Sequence, residues 1–224
     1  MSACFVTGSG TEVGKTYVGA AILRTKRAEG ARARAIKPLM SGFSWDRPER
    51  SDAGVLLSAC GVAPTRSAIA DLCLYAFEPP LAPNVAARRA GVALDEAAIL
   101  KFIRERIEDD AAFSVVEGAG GAMSPMTDRM LQIDLMEGLR LPVVFVAASY
   151  LGAISHSLTA LEALDRRRLS IAAIVVAQPR GEGDDPAALI EELSRWRRGP
   201  FVAAPFGTDP MALGARISHF LGDA

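Results

Sequence analysis

The chain has 224 residues, 50% of them hydrophobic and 23% charged, and its 25 basic and 26 acidic side chains leave a formal charge of -1. That balance excludes a generally basic nucleic-acid binder and a polybasic membrane anchor, and the wealth of apolar residues excludes a disordered chain. The basic residues are unevenly divided: only Lys15, Lys26, Lys37 and Lys101 are lysines, and those positions invite inspection. Cys4, Cys60 and Cys73 lack any C-x-x-C spacing and fit reduced thiols rather than a disulfide framework or zinc site. Met1 to Gly8 carries neither the basic nor the long apolar stretch of a signal peptide. No apolar run reaches the ~18 residues of a membrane span, so a soluble, cytoplasmic protein is expected.

In chain order, Ala3 to Val6 reads as a short strand, followed by a glycine-rich turn and a helix from Lys15 to Glu29. Arg32 to Ile36 reads as a second strand. Ser51 to Cys60 reads as a helix with Ser51 as N-cap. Leu94 to Glu108 sets Leu94, Ala98, Ile99, Phe102, Ile103 and Ile107 at helical spacing. Phe113 to Val116, Val143 to Ala147 and Ile171 to Val176 are compact apolar runs, the pattern of parallel strands covered on both faces. Helices are expected at Ala153 to Arg167, Pro186 to Arg197 and Pro210 to Leu221. Asp46 to Pro83, rich in proline and small residues, reads as loops and short helices over the sheet edge. This order predicts one α/β domain over residues 1–224. It would be a doubly wound, mostly parallel twisted sheet of about seven strands with helices on both faces.

The sharpest motif is Phe5-Val6-Thr7-Gly8-Ser9-Gly10-Thr11-Glu12-Val13-Gly14-Lys15-Thr16, set between a strand and a helix. Glycines there allow backbone N–H groups to surround phosphate oxygens, and the helix N-terminus adds partial positive charge. Lys15 can reach the β- and γ-phosphates, and the Thr16 hydroxyl can ligate Mg²⁺. The spacing departs from the usual G-x-x-x-x-G-K-[ST], because Ser9 stands where the first glycine is expected, between Gly8 and Gly10. Partitioning and septum-positioning ATPases carry a second lysine five residues before the loop lysine; here that position is Gly10.

This loop resembles that of dethiobiotin synthetase, and further matches follow in the family's order. They are Lys37-Pro38-Leu39-Met40-Ser41-Gly42, Ser51-Asp52-Ala53, Val116-Glu117-Gly118-Ala119-Gly120-Gly121, and Leu151-Gly152-Ala153-Ile154-Ser155-His156-Ser157-Leu158-Thr159. The resemblance implies a ligase that uses ATP and CO₂ to convert 7,8-diaminononanoate to dethiobiotin in biotin synthesis. One amine becomes a carbamate, the carbamate attacks the γ-phosphorus to give a carbamic-phosphoric anhydride, and the second amine displaces phosphate.

By the same resemblance, Lys15, Lys37 and Thr11 are the catalytic residues, the two lysines supplying positive charge where it develops on the transferred group. Nucleotide contacts are expected from Gly8, Ser9, Gly10, Thr11, Glu12, Val13, Gly14, Lys15, Thr16, Glu117, Gly118, Ala119, Gly120, Gln178 and Pro205. Thr16, Asp52 and Glu117 are the implied Mg²⁺ ligands, although Ser51-Asp52 also reads as an ordinary helix start. Glu12, Lys37, Ser41 and Gly121, with Leu151, Gly152, Ala153 and Ile154, are the implied substrate residues. In the family the last four come from the other subunit, which implies a homodimer with shared active sites. The free N–H groups at the start of that helix suit the substrate's carboxylate. His156 and His219 are assigned no catalysis.

Two departures fall on base recognition. The family's adenine-reading asparagine is replaced, with Ala177 or Gln178 at its place in Ile174-Val175-Val176-Ala177-Gln178-Pro179. Its downstream G-E-I-P-like turn becomes Val202-Ala203-Ala204-Pro205-Phe206, without the glutamate. Weak reading of the nucleobase is therefore expected. The alternative of a nucleotide-regulated switch without a small-molecule substrate is disfavoured by Gly10 and by the Lys-Pro-x-x-Ser-Gly segment. A corrinoid amidotransferase would need a glutaminase domain for which 224 residues leave no room.

Overall fold

The computed structural model describes residues 3–108, 112–178 and 183–222; Met1, Ser2 and Pro179 lie outside them. Strand β1 (Ala3–Gly8) is buried along its whole length, and so are β5 (Ala112–Glu117) and β6 (Val143–Ala148). Their unbroken apolar runs have no solvent face to alternate toward, as expected of strands covered on both sides. With β2 (Arg32–Ile36), β7 (Ile171–Ala177) and β8 (Phe201–Ala204) they form a parallel sheet in the order β2-β5-β1-β6-β7-β8. Among the described residues this sheet has six strands. A separate parallel pair, β3 (Leu39–Ser41) with β4 (Tyr75–Phe77), takes what the single sheet of about seven would have held.

The helices cover both faces in two large apolar clusters. One joins α1 (Lys15–Ala28), α2 (Asp52–Ala59) and α9 (Pro210–Leu221) to the sheet through Val18, Ile22, Leu56, Leu213 and Ile217. The other joins α5 (Glu96–Ile107), α6 (Gln132–Leu139) and α7 (Ala153–Arg166) to the opposite face through Ile99, Ile103, Ile133, Leu161 and Leu164. The remaining helices, α3 (Arg66–Leu72), α4 (Pro83–Ala90) and α8 (Pro186–Trp196), pack nearer the edges. Ser51 caps α2 as expected, its hydroxyl accepting the Gly54 N–H at 3.1 Å. Asp46 to Pro83 holds the expected short helices, α2, α3 and a turn of 3₁₀ helix at Pro48–Arg50, and adds the strand β4.

Register decides which side chains meet. Val6 of β1 is level with Glu117 of β5, and Ile36 of β2 is level with Val116. The residues that follow, the loop after Gly8, Lys37 after Ile36 and Glu117 itself, therefore emerge together at the carboxyl ends of adjacent strands. Ligands of open parallel sheets bind in that crevice.

Candidate active site

The loop between β1 and α1 turns on Gly14, which adopts the left-handed conformation (φ 96°) as N-cap of α1. No side chain caps this helix, so its N-terminus faces the crevice with its partial positive charge uncancelled. Glu12 is also left-handed (φ 58°), an arrangement that costs a residue with a Cβ about 1–3 kcal/mol and is held only by its surroundings. Lys15, 7% exposed, folds back across the loop and donates to the Gly10 carbonyl at 2.6 Å.

Behind the loop lies a compact charged cluster. Glu117, fully buried at the end of β5, accepts through Oε1 from the Thr16 hydroxyl at 2.8 Å and from the Lys37 ammonium at 2.5 Å. Lys37 also pairs with Asp52 Oδ2 at 2.9 Å. Residues from α1, α2 and β5 and the lysine that follows β2 thus meet in one cluster around Glu117 and Lys37. Glu117 Oε2 is buried and lacks a hydrogen-bond partner among the described residues.

These surroundings move the charges in opposite directions. Burial, and then the neighbouring Lys37 charge, lowers the Lys15 pKa to about 8, with Glu117 and Asp52 pulling the other way. Burial also works against charge on Lys37, but Glu117 and Asp52 outweigh it and hold its pKa above the ordinary lysine value. Partial burial would raise the Asp52 carboxyl, yet Lys37, by charge and hydrogen bond, and then Thr16 hold it below its ordinary value.

A cavity of about 630 Å³ opens over this cluster, large enough for a sizeable ligand. Its wall brings together Thr11, Glu12, Gly14, Lys15, Thr16, Lys37, Ser41, Asp52, Glu117, Gly118, Ala119 and Gly120 from the expected set. Gly8, Ser9, Gly10, Val13 and Gly121 support that wall from the loop and the turn behind it. The Ser9 N–H donates to Val146 at 2.9 Å, and the Gly121 carbonyl accepts from Gln132 Nε2 at 3.0 Å.

Two parts of the expected set lie apart. Leu151, Gly152, Ala153 and Ile154 line a different surface cavity with Trp196 and Leu158, and Leu151 projects fully into solvent. Gln178 and Pro205 stand at the ends of β7 and β8. There the Gln178 side chain is engaged by backbone at both ends: Oε1 accepts the Phe206 N–H and Nε2 donates to the Gly183 carbonyl, each at 3.2 Å.

Other residues in and behind the wall carried no motif signal. Gln132, fully buried in the first turn of α6, donates to Thr7 Oγ1 at 2.7 Å and so ties the 118–121 turn to β1. Ser124 receives the Gly121 N–H at 2.8 Å, and Tyr17 donates its hydroxyl to the Thr208 carbonyl, joining α1 to the turn after β8. Met40 and the 80–83 stretch close the far side. These residues follow only from the folded chain.

The donor set suits a hard cation: a hydroxyl and two carboxylates, one of them with an orphaned buried oxygen, match the one or two carboxylates that Mg²⁺ takes alongside phosphate and water. Among the described residues no group of three or more His, Cys, Asp and Glu side chains gathers that could hold a metal ion. The three thiols are free, and burial raises Cys4 and Cys73 to about 12 and Cys60 to about 11, which leaves them unreactive. No described helix is long and apolar enough to cross a membrane.

Residues 2–201 match the family model described as an AAA domain. The chain is 47% identical over 208 residues to the ATP-dependent dethiobiotin synthetase BioD of Phenylobacterium zucineum (strain HLK1), covering 92% of this chain and 89% of that protein. It is 48% identical over 179 residues to the protein of the same name from Caulobacter vibrioides (strain NA1000 / CB15N), covering 80% of each. The counterpart from Methylobacterium nodulans is 40% identical over 200 residues, 87% of this chain and 89% of that one. Among solved structures, the signal recognition particle receptor FtsY from Elizabethkingia anophelis matches with a TM-score of 0.50 at 12% identity. That match covers 98% of this chain but only 65%, less than two thirds, of the receptor, and the likeness is one of fold alone. With relatives this similar over most of its length, and with the loop, Lys37, Asp52 and Glu117 meeting in one crevice, the chain belongs to the dethiobiotin synthetase family.

Proposed function

We propose that this chain is an ATP-dependent dethiobiotin synthetase that closes a urea ring on 7,8-diaminononanoate with CO₂, releasing ADP and phosphate. The observation that carries this reading is the meeting of Lys15, Thr16, Lys37, Asp52 and Glu117 in one cavity at the carboxyl ends of β1, β2 and β5. A nucleotide-regulated switch without a small-molecule substrate is not favoured by the named relatives.

In this reading the chain acts as one domain. The loop from Gly8 to Gly14 and the α1 N-terminus receive the phosphates, and Gly118, Ala119 and Gly120 admit them close to backbone. Thr11, Glu12, Ser41 and Gly121 hold the diamine and its carbamate. Lys15 and Lys37 face the γ-phosphoryl group, where charge builds as the carbamate oxygen attacks and ADP departs. Neither lysine competes as a nucleophile while it remains charged. Thr16, Asp52 and Glu117 would hold Mg²⁺, whose chemistry there is to neutralise the β- and γ-phosphate oxygens. Leu151 to Ile154, at the start of α7 with Leu151 and Ile154 exposed, serve the neighbouring copy of a homodimer by receiving the far carboxylate of its substrate. A chain of this kind works in the cytoplasm.

The test is phosphate release with ATP and bicarbonate, which is expected to depend on the diamine. ATP hydrolysis indifferent to the diamine would overturn the reading. In the same assay ATP, CTP and GTP are expected to support rates within about tenfold of one another, because the amide of Gln178 is already committed to backbone. A preference for ATP of about a hundredfold overturns that part.

The state of Lys15 adds a pH dependence with a defined sign. Below its pKa of about 8 the lysine already carries the proton that the phosphates favour; above it, binding must first take up that proton. Nucleotide affinity is therefore expected to fall as pH rises through about 8, approaching a limit of about tenfold per pH unit for one linked proton. Calorimetric titration with ADP on either side of that pH checks it, and a flat profile refutes it.

A further inference from the structure

We propose that Lys37 is the resident cation of the Asp52–Glu117 carboxylate pair and surrenders both carboxylates to a divalent cation when nucleotide arrives. The inference rests on the reading that these carboxylates hold Mg²⁺, and it adds an exchange of one cation for another.

The geometry points to exchange because Lys37 is asked to do two incompatible things. Lys37 is 3% exposed, and its ammonium lies 2.5 Å from Glu117 and 2.9 Å from Asp52, so it sits between the two carboxylates that a metal would use. An ammonium so engaged cannot also neutralise a transferred phosphoryl group. The cluster is balanced, two carboxylates against Lys15 and Lys37, and a further cation would be one too many. Lys37 also draws α2 and β5 together through Asp52 and Glu117, and so holds the carboxylates ready. The hold is incomplete, however. Glu117 places both of its donors, Thr16 and Lys37, on Oε1 and leaves Oε2 buried and unpartnered, a state that costs free energy. A divalent cation, with twice the charge and room for more oxygens, competes well for such a site.

The functional consequence is that Mg²⁺ alone binds poorly, because it must evict an ammonium that has nowhere else to place its charge. Once phosphates are present, the evicted ammonium has a new partner. Lys37 therefore becomes available to the reacting group only when metal and nucleotide are both in place.

Calorimetry with Mg²⁺ alone, without nucleotide, separates the possibilities. Lys37→Gln is expected to bind Mg²⁺ at least about tenfold more tightly than the unaltered protein, since a unit positive charge has left the site. Mg²⁺ should also raise the melting temperature of Lys37→Gln and leave that of the unaltered protein nearly unchanged. Equal Mg²⁺ affinity in the two proteins, with binding lost in Asp52→Asn, would leave the metal site standing and overturn the exchange. Failure of Mg²⁺ to bind any of these proteins, with or without ADP, would overturn the metal reading and the exchange together. A measurement on the unaltered protein guards against poor folding of the variant. The side-chain ammonium resonance of Lys37 in ¹⁵N-lysine-labelled protein should move on addition of ADP with Mg²⁺ and stay in place with ADP and a chelator. A resonance indifferent to the metal overturns the proposal.

Discussion

Replacing Lys37 by Gln is expected to lower kcat by at least about a thousandfold, with a much smaller change in the KM for nucleotide. Lys15 and the loop remain to bind the phosphates, so ground-state binding is largely kept. What is lost is a positive charge placed where negative charge develops in the transition state. Glutamine keeps a polar, hydrogen-bonding side chain, one atom shorter than that of lysine, and removes the charge. The substitution also strips Glu117 and Asp52 of their shared cation, and breaking a buried pair costs up to about 3–5 kcal/mol. Thr16 still donates to Glu117 at 2.8 Å, which moderates that cost. Steady-state rates measured well below the variant's melting transition therefore report on charge rather than on unfolding. Turnover within about tenfold of the unaltered protein would show that Lys37 has no part in the chemical step.

The second large effect concerns the entry to the phosphate loop. A Cβ on Gly8 would stand 2.7 Å from the Val146 carbonyl oxygen and 2.7 Å from Val13 Cγ2. Val146 is the β6 partner of Gly8 in register, and its carbonyl also receives the Ser9 N–H at 2.9 Å. The clash is with backbone in the middle of the sheet, which cannot step aside. Gly8→Ala must therefore push the loop off β6 and take Lys15 with it. Nucleotide affinity is expected to fall by about a hundredfold or more, because groups that bind phosphate tolerate little misplacement. Strain and the lost hydrogen bond should cost about 1–3 kcal/mol, read as a melting temperature lower by roughly 3–10 °C. Gly10→Ala is the packing control: a Cβ there meets nothing within 4 Å, so the melting temperature should change little. Equal behaviour of the two variants would mean that loop glycines act through flexibility and not through packing.

That contrast shows what could and could not be read in advance. The loop motif was plain, but its spacing left Gly8 and Gly10 equivalent on either side of Ser9; only the approach of Val146 separates them. The buried strands and long helices were legible because periodicity and capping are local: α1, α5, α7, α8 and α9 fall within two residues of expectation. Shorter elements were not. β3 and β4 are three residues each and exist because they pair with one another, a long-range event without a local signature. β8, only four residues, read as a turn, and α6 begins without a side-chain N-cap of the usual type, the Leu131 N–H being met instead by Asp134 at 2.9 Å.

The site divides in the same way. Lys15, Thr16, Lys37, Asp52 and Glu117 each announced themselves in a short motif, but the pairing of Lys37 with Glu117, across 80 residues, depends on strand register. The lysine scarcity proved informative beyond its first use. Lys26 is also buried, donating to Glu29 at 3.0 Å and lying 5.4 Å from the Phe113 ring centre, while Lys101 stands at the surface in a weak pair with Glu105.

The place of β1 between β5 and β6 has a consequence for how the protein comes into being. Its first hydrogen-bonded neighbour begins at Ala112 and its second at Val143, so the strand that leads into the phosphate loop has no partner while the next hundred-odd residues are made. At ribosomal speeds of about 5–20 residues per second that wait is several seconds to tens of seconds, with a largely apolar strand and the inner face of α1 exposed. The chain must be shielded during that interval, and slow translation upstream of Ala112 lengthens it. The strand that leads into the proposed phosphate loop is thus among the first segments synthesised, yet it is paired on both sides only after Val143 has been made.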